Sequence, residues 1–139
     1  ILWIKNTVKK LMKIWIFISL IGVLMLIFAD EFYKLWIGDS ITVPFDLSAI
    51  LLIYFISFTY GNVFVMFING VGKIRLQMYS AFIGSAIFII SSLIMIKYLN
   101  WGIKSILMAM ILSNFNGLIL APIQYKKIIS NTAKGIWNK

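Results

Sequence analysis

The sequence predicts an all-α integral membrane protein that crosses the bilayer about four times. Of its 139 residues, 62% are hydrophobic and only 12% are charged, against about 25% in soluble domains. The mean hydropathy is +0.99. Four runs, each with at most one charge, reach the ~20 residues that a helix needs to cross roughly 30 Å of hydrocarbon. So few polar groups cannot cover so much apolar surface in water, and lipid is the solvent that fits. Barrel strands are a poor alternative, because they alternate over about 10 residues and these runs are apolar on every side.

The first span runs from Leu11 to Ala29, with Lys13 near one end where its stem can snorkel. Lys5, Lys9, Lys10 and Lys13 ahead of an apolar core also suit a signal peptide. The run exceeds the core of about 7–15 residues usual there, and three more spans follow it, so it reads as a span. The chain opens on Ile1 rather than Met, which fits processing or a piece of something longer.

A loop is expected over 30–46. It holds every acid of the chain (Asp30, Glu31, Asp39 and Asp46) and Lys34 alone among the bases. Phe32, Tyr33, Leu35, Trp36 and Ile37 suit the headgroup layer. Gly38 and Pro44 break any helix there, and Asp46 is placed to cap the next span. The second span covers 47–72, the third 76–96 and the fourth 105–125, followed by a tail over 126–139. Tyr98 and Trp101 anchor one interface and Tyr125 the other.

Lys and Arg collect in cytoplasmic loops. Lys73 and Arg75 follow the second span, Lys97 and Lys104 flank the third turn, and Lys126, Lys127, Lys134 and Lys139 lie in the tail. Alternating crossings put ten of the 13 basic residues on the side of both termini, which predicts an N-in, C-in topology.

The net charge of +9 does not indicate nucleic acid, because the bases sit between apolar runs instead of clustering on one folded face. Cysteine and histidine are absent, which excludes disulfides, thiol nucleophiles and thiolate or imidazole metal sites; no cofactor is expected. Asn69-Gly70-Val71-Gly72-Lys73-Ile74 lacks the spacing of a phosphate loop, and Ile74 stands where a magnesium-binding hydroxyl is needed. With every acid in one loop, no paired carboxylates or nucleophile–base pair can assemble, and no enzyme is expected.

Small residues mark helix contacts in lipid, where close backbone approach drives association. The fourth span carries Ser105, Ala109, Ser113, Gly117 and Ala121, a small residue at every fourth position and a stripe suited to a tight crossing. Ser57 with Gly61, and Ser80 with Gly84, are shorter versions. Asn62 and Asn69 share a face of the second span leading to Lys73, and Gln77, Ser80, Gly84 and Ser91 share a face of the third. Asn114 and Asn116 lie on nearly opposite sides of the fourth, Asn116 nearer the small stripe. These amides can serve as interhelical glue, worth about 0.6 kcal/mol per bond on average, or line a polar cavity. No span has a charge at its centre, so no carboxylate of the kind common in ion-coupled carriers is present there.

Three stretches together resemble the polysaccharide (O-antigen, Wzx-type) flippases of the multidrug/oligosaccharidyl-lipid/polysaccharide exporter superfamily. They are Ile27-Phe28-Ala29-Asp30 leading to Leu35-Trp36-Ile37-Gly38; Ile68-Asn69-Gly70-Val71-Gly72-Lys73-Ile74-Arg75-Leu76-Gln77; and Tyr98-Leu99-Asn100-Trp101-Gly102-Ile103-Lys104, followed by Lys134-Gly135-Ile136-Trp137-Asn138-Lys139. The resemblance covers nearly the whole chain but about a third of such a transporter, and implies four helices of a six-helix lobe, most simply the C-terminal one, in a two-lobe exporter. It implies a bacterial cytoplasmic (inner) membrane and an undecaprenyl-pyrophosphate-linked oligosaccharide as cargo. The implied partners are the remaining helices of the full transporter and a polysaccharide polymerase. Asn62, Asn69, Gln77 and Asn116 would then offer hydrogen bonds to sugars, with Lys73 and Arg75 attracting the pyrophosphate at the cytoplasmic mouth. A related drug/cation antiporter or lipid II flippase is the nearest alternative. A self-contained four-helix scaffold or assembly subunit, with the small-residue stripe as its oligomer interface, is the alternative of another class.

Overall fold

Backbone amides in hydrocarbon have no water to bond, so apolar runs of this length are stable as continuous helices. A computed structural model describes residues 1–38 and 42–139, and the described residues are helical without a strand. Asp39, one of the acids of the first loop, lies outside them. Helices α1 (Leu2–Ile27), α3 (Phe45–Gly70) and α4 (Arg75–Leu99) are long and unbroken. The fourth crossing is assembled from α5 (Ile103–Ser113), a π-helical turn (Asn116–Leu120) and α6 (Ala121–Ile129). These four stretches are long and apolar enough to cross a membrane. A short α2 (Ala29–Ile37) links α1 to α3, and a 3₁₀ turn (Gly135–Asn138) lies in the tail.

Several boundaries differ from the sequence-based expectation, each for a local reason. Helix α1 starts at Leu2 instead of Leu11, because Lys is a good helix former and nothing before Gly22 interrupts the run. The loop expected over 30–46 contains α2. Asp30 and Glu31 fall in its first turn and Lys34 in its last, where each charge complements the helix dipole, and Gly38 at φ 85° ends it. Asp46 does not cap α3. Pro44 takes the cap position with extended backbone, and Asp46 sits in the first turn, ion-paired to Lys104 at the start of α5. The fourth crossing extends to Ile129 and is not one uniform α-helix. Pro122 has no N–H to give the carbonyl four residues back, and the Ala121 N–H bonds Asn116 O across a wider turn just ahead of it.

Two of the chain reversals share one device. After α3, the Lys73 N–H reaches Ile68 O (3.3 Å) and the Gly72 N–H reaches Asn69 O (3.1 Å), with Gly72 at φ 70°. After α6, the Thr132 N–H reaches Lys127 O (2.9 Å) and the Asn131 N–H reaches Ile128 O (3.1 Å), with Asn131 at φ 57°. Both are Schellman caps, which satisfy the last carbonyls of a helix and turn the chain sharply back.

The crossings alternate in direction. Val8 packs with Phe64, Ile68 and Ala121 near one end of the bundle. Further along α1, the Trp15 indole N–H donates to Ile56 O (3.1 Å), and Gly22 lies against Leu52. An aromatic ladder of Trp15, Tyr60, Phe64, Tyr125 and Phe67 runs through this region, with ring centroids 5.1 to 5.4 Å apart. The tightest approach joins α3 to the π turn: a Cβ added to Gly61 would stand 2.6 Å from Gly117 Cα. Ser105, Ala109 and Ala121 of the small-residue stripe are at most 1% exposed, so the stripe packs inside the chain. Large apolar side chains elsewhere face outward, as lipid requires. Lys73, Arg75, Lys126 and Lys127 mark what we call the basic end of the bundle. Asp30, Glu31 and Asp46 mark the acidic end.

Candidate functional site

Polar side chains within spanning helices are expensive in lipid, so where several meet is the first question for function. Gln77, Ser80 and Gly84 recur at helical spacing on α4 and share one face. They line a groove of about 590 Å³ with Ala81, Ser85, Phe88 and Ile89 of the same helix and with Ser113 and Asn116 opposite. At Gly84 the walls meet. A Cβ there would stand 3.0 Å from Ser113 O, so any larger residue would press α4 and α5 apart by a few tenths of an ångström. From that point towards the basic end α4 has little direct packing on α6, and the groove runs along α4 past Asn116 of the π turn.

The hydroxyls of the groove donate within their own helices: Ser80 to Gln77 O (2.8 Å), Ser85 to Ala81 O (2.9 Å) and Ser113 to Met110 O (3.0 Å). Each oxygen keeps acceptor capacity. Gln77 Oε1 is buried without a donor, a state that natural proteins rarely leave unanswered. The site is therefore neutral and hydrogen-bonding, and suits an uncharged polyhydroxyl group better than an ion.

Of the six residues singled out in the sequence, Gln77 and Asn116 come together here. Asn62 is half-buried on α3 and Asn69 is exposed near its end; neither lines the groove. Lys73 and Arg75 lie at the α3–α4 reversal and are engaged by the tail. The Lys73 ammonium donates to Asn138 Oδ1, and the Arg75 backbone N–H bonds Lys139 O (3.1 Å). Asn114 is not part of the groove wall, in keeping with its placement opposite Asn116.

Sequence reasoning passed over two groups. Ser85 and Phe88 extend the groove along α4, and Ser113, a member of the small-residue stripe, also lines it. Gln124, in the last turns of the fourth span, is 1% exposed, and its amide donates to Lys73 O (3.0 Å) and to Trp137 O (3.1 Å). An amide inside an apolar run was the available signal, since burial obliges it to find partners. A second cavity, of about 470 Å³, lies between α1, α2 and α3 at the acidic end and is almost wholly apolar. Its two polar side chains, Tyr33 and Ser48, bond each other (3.3 Å).

The fold and the groove define a multi-pass α-helical membrane protein. Compared with known proteins, the chain matches no family model, no curated sequence and no solved structure.

Proposed function

We propose that the chain is a segment of a flippase for undecaprenyl-pyrophosphate-linked oligosaccharide, acting in the bacterial cytoplasmic membrane with further helices of the same transporter. The observation that carries this reading is the neutral polar groove within the spanning region, with Gln77 Oε1 unsatisfied in its wall. A sugar headgroup cannot cross hydrocarbon bare, because each unsatisfied polar group costs several kcal/mol there. A hydroxyl- and amide-lined cleft replaces its water while a prenyl tail stays in lipid. The family resemblance of the three sequence stretches supports the same reading. An ion-coupled drug antiporter is less favoured, because the groove has no carboxylate to bind a proton, sodium ion or cationic drug. The scaffold alternative is less favoured, because four of the five residues of the small-residue stripe are buried inside the chain and Ser113 is half-buried.

The test is the double variant Gln77→Leu/Asn116→Leu, made at the native locus. Loss of surface glycan and accumulation of the lipid-linked precursor on the inner leaflet are expected, at unchanged protein level in the membrane. Undiminished surface glycan would refute the proposal, and altered resistance to cationic dyes in its place would favour the antiporter.

A further inference from the structure

We infer that the tail 134–139 is a releasable strap that holds the start of α4 to α6 just beyond the basic end of the polar groove. Between Gly84 and the start of α4 the groove is lined by Gln77, Ser80 and Ala81, with Asn116 of the π turn opposite, and α4 makes little direct contact with α6. The 3₁₀ turn packs against both of these helices and bridges them. Its attachment is specific. Gln124 of α6 donates one amide hydrogen to Trp137 O in the tail and the other to Lys73 O in the α3–α4 reversal, so one buried side chain joins three segments. Asn138 accepts from the Lys73 ammonium, Lys139 O accepts from the Arg75 N–H, and the Lys127 ammonium stands 4.1 Å over the Trp137 ring. The Schellman cap at Asn131 reverses the chain after α6 so that the tail returns to this place.

Apart from the half-buried Trp137, the 3₁₀ turn is exposed and contributes nothing to the apolar core. It is held by a few polar contacts, the kind of element that opens locally without global unfolding. With the strap docked, α4 is tied to α6 through the tail; with it released, the first turns of α4 are free to move away and admit water and cargo to Gln77 and Ser80. This rests on the groove being a solvent-reachable cavity, and does not depend on which cargo uses it.

The chain has no cysteine, so a single Ser80→Cys reports on the groove without background. In lipid nanodiscs, its rate of reaction with a charged, membrane-impermeant maleimide is measured with the strap intact and in two release variants, Gln124→Leu and Trp137→Ala. Both releases are expected to speed labelling by about tenfold or more, the factor that loss of one or two net hydrogen bonds implies. A control cysteine at Ile94, on the far half of α4, should keep its rate. An unchanged rate at Ser80→Cys in a Trp137→Ala variant that keeps its helical circular dichroism would overturn the strap. Loss of helicity in both variants would overturn it too, because the tail would then belong to the structural frame. Faster labelling together with unaffected glycan export in the Gln77→Leu/Asn116→Leu variant would uphold the strap and remove the flippase reading.

Discussion

At the scale of single residues, two glycines close together in the chain do opposite jobs. Gly70 is helical, with open space where a Cβ would stand, whereas Gly72 has φ 70° at the Schellman position. Alanine is a better helix former than glycine by about 1 kcal/mol, but a Cβ in the left-handed region costs roughly 1–2 kcal/mol. Gly70→Ala should therefore stabilise the folded chain slightly and Gly72→Ala should destabilise it by about 1 kcal/mol, as read from denaturation in mixed micelles. Equal effects of the two substitutions would show that the reversal is not set by backbone conformation. At this scale the sequence was informative about Gln77 and Asn116, because helical spacing alone places them on faces. Lys73 was harder to read. Its cation suggested a ligand for phosphate, and only the returning tail reveals the Asn138 carbonyl that its ammonium meets.

At the scale of elements, long apolar runs made the helices plain, since hydrocarbon leaves the backbone no alternative. Their ends were less plain. The start of α1 was hidden by lysines that suggest an aqueous segment, and α2 by the turn residues around it. The π turn depends on the missing N–H of Pro122, a local cause whose effect on the direction of the following helix is tertiary. The reversal after α6 turns on Asn131, a residue that tolerates the left-handed region better than most. Asn131→Gly should leave hydrogen-exchange protection of residues 134–139 nearly unchanged. Asn131→Val should weaken docking of that segment by about 1–2 kcal/mol, seen as faster exchange there alone. Uniform loss of protection along α6 would instead indicate that the cap holds the whole helix.

At the scale of the whole molecule, charge distribution sets how the bundle sits in a membrane. Lys104 and Asp46 form the only ion pair among the described residues, at the acidic end, and none of the described acids pairs with the cations at the basic end. Such an excess of Lys and Arg favours the cytoplasmic face. Single cysteines at Leu35 and Ser130 test the orientation in intact cells. Leu35→Cys should react with an impermeant reagent at once, and Ser130→Cys only after the membrane is opened. The reverse pattern would invert the topology and put the strap on the outer face.

The contact at Gly84 has a mechanical consequence. Beyond it, towards Leu99, α4 is clamped along α5; before it, α4 projects about 14 Å at 1.5 Å per residue, steadied at its tip by the tail. A rod held firmly along one half and lightly along the other bends like a diving board and does not rock like a see-saw. With the tail released, an outward swing of the lightly held arm of α4 leaves the clamped half still, so this helix opens at one membrane face.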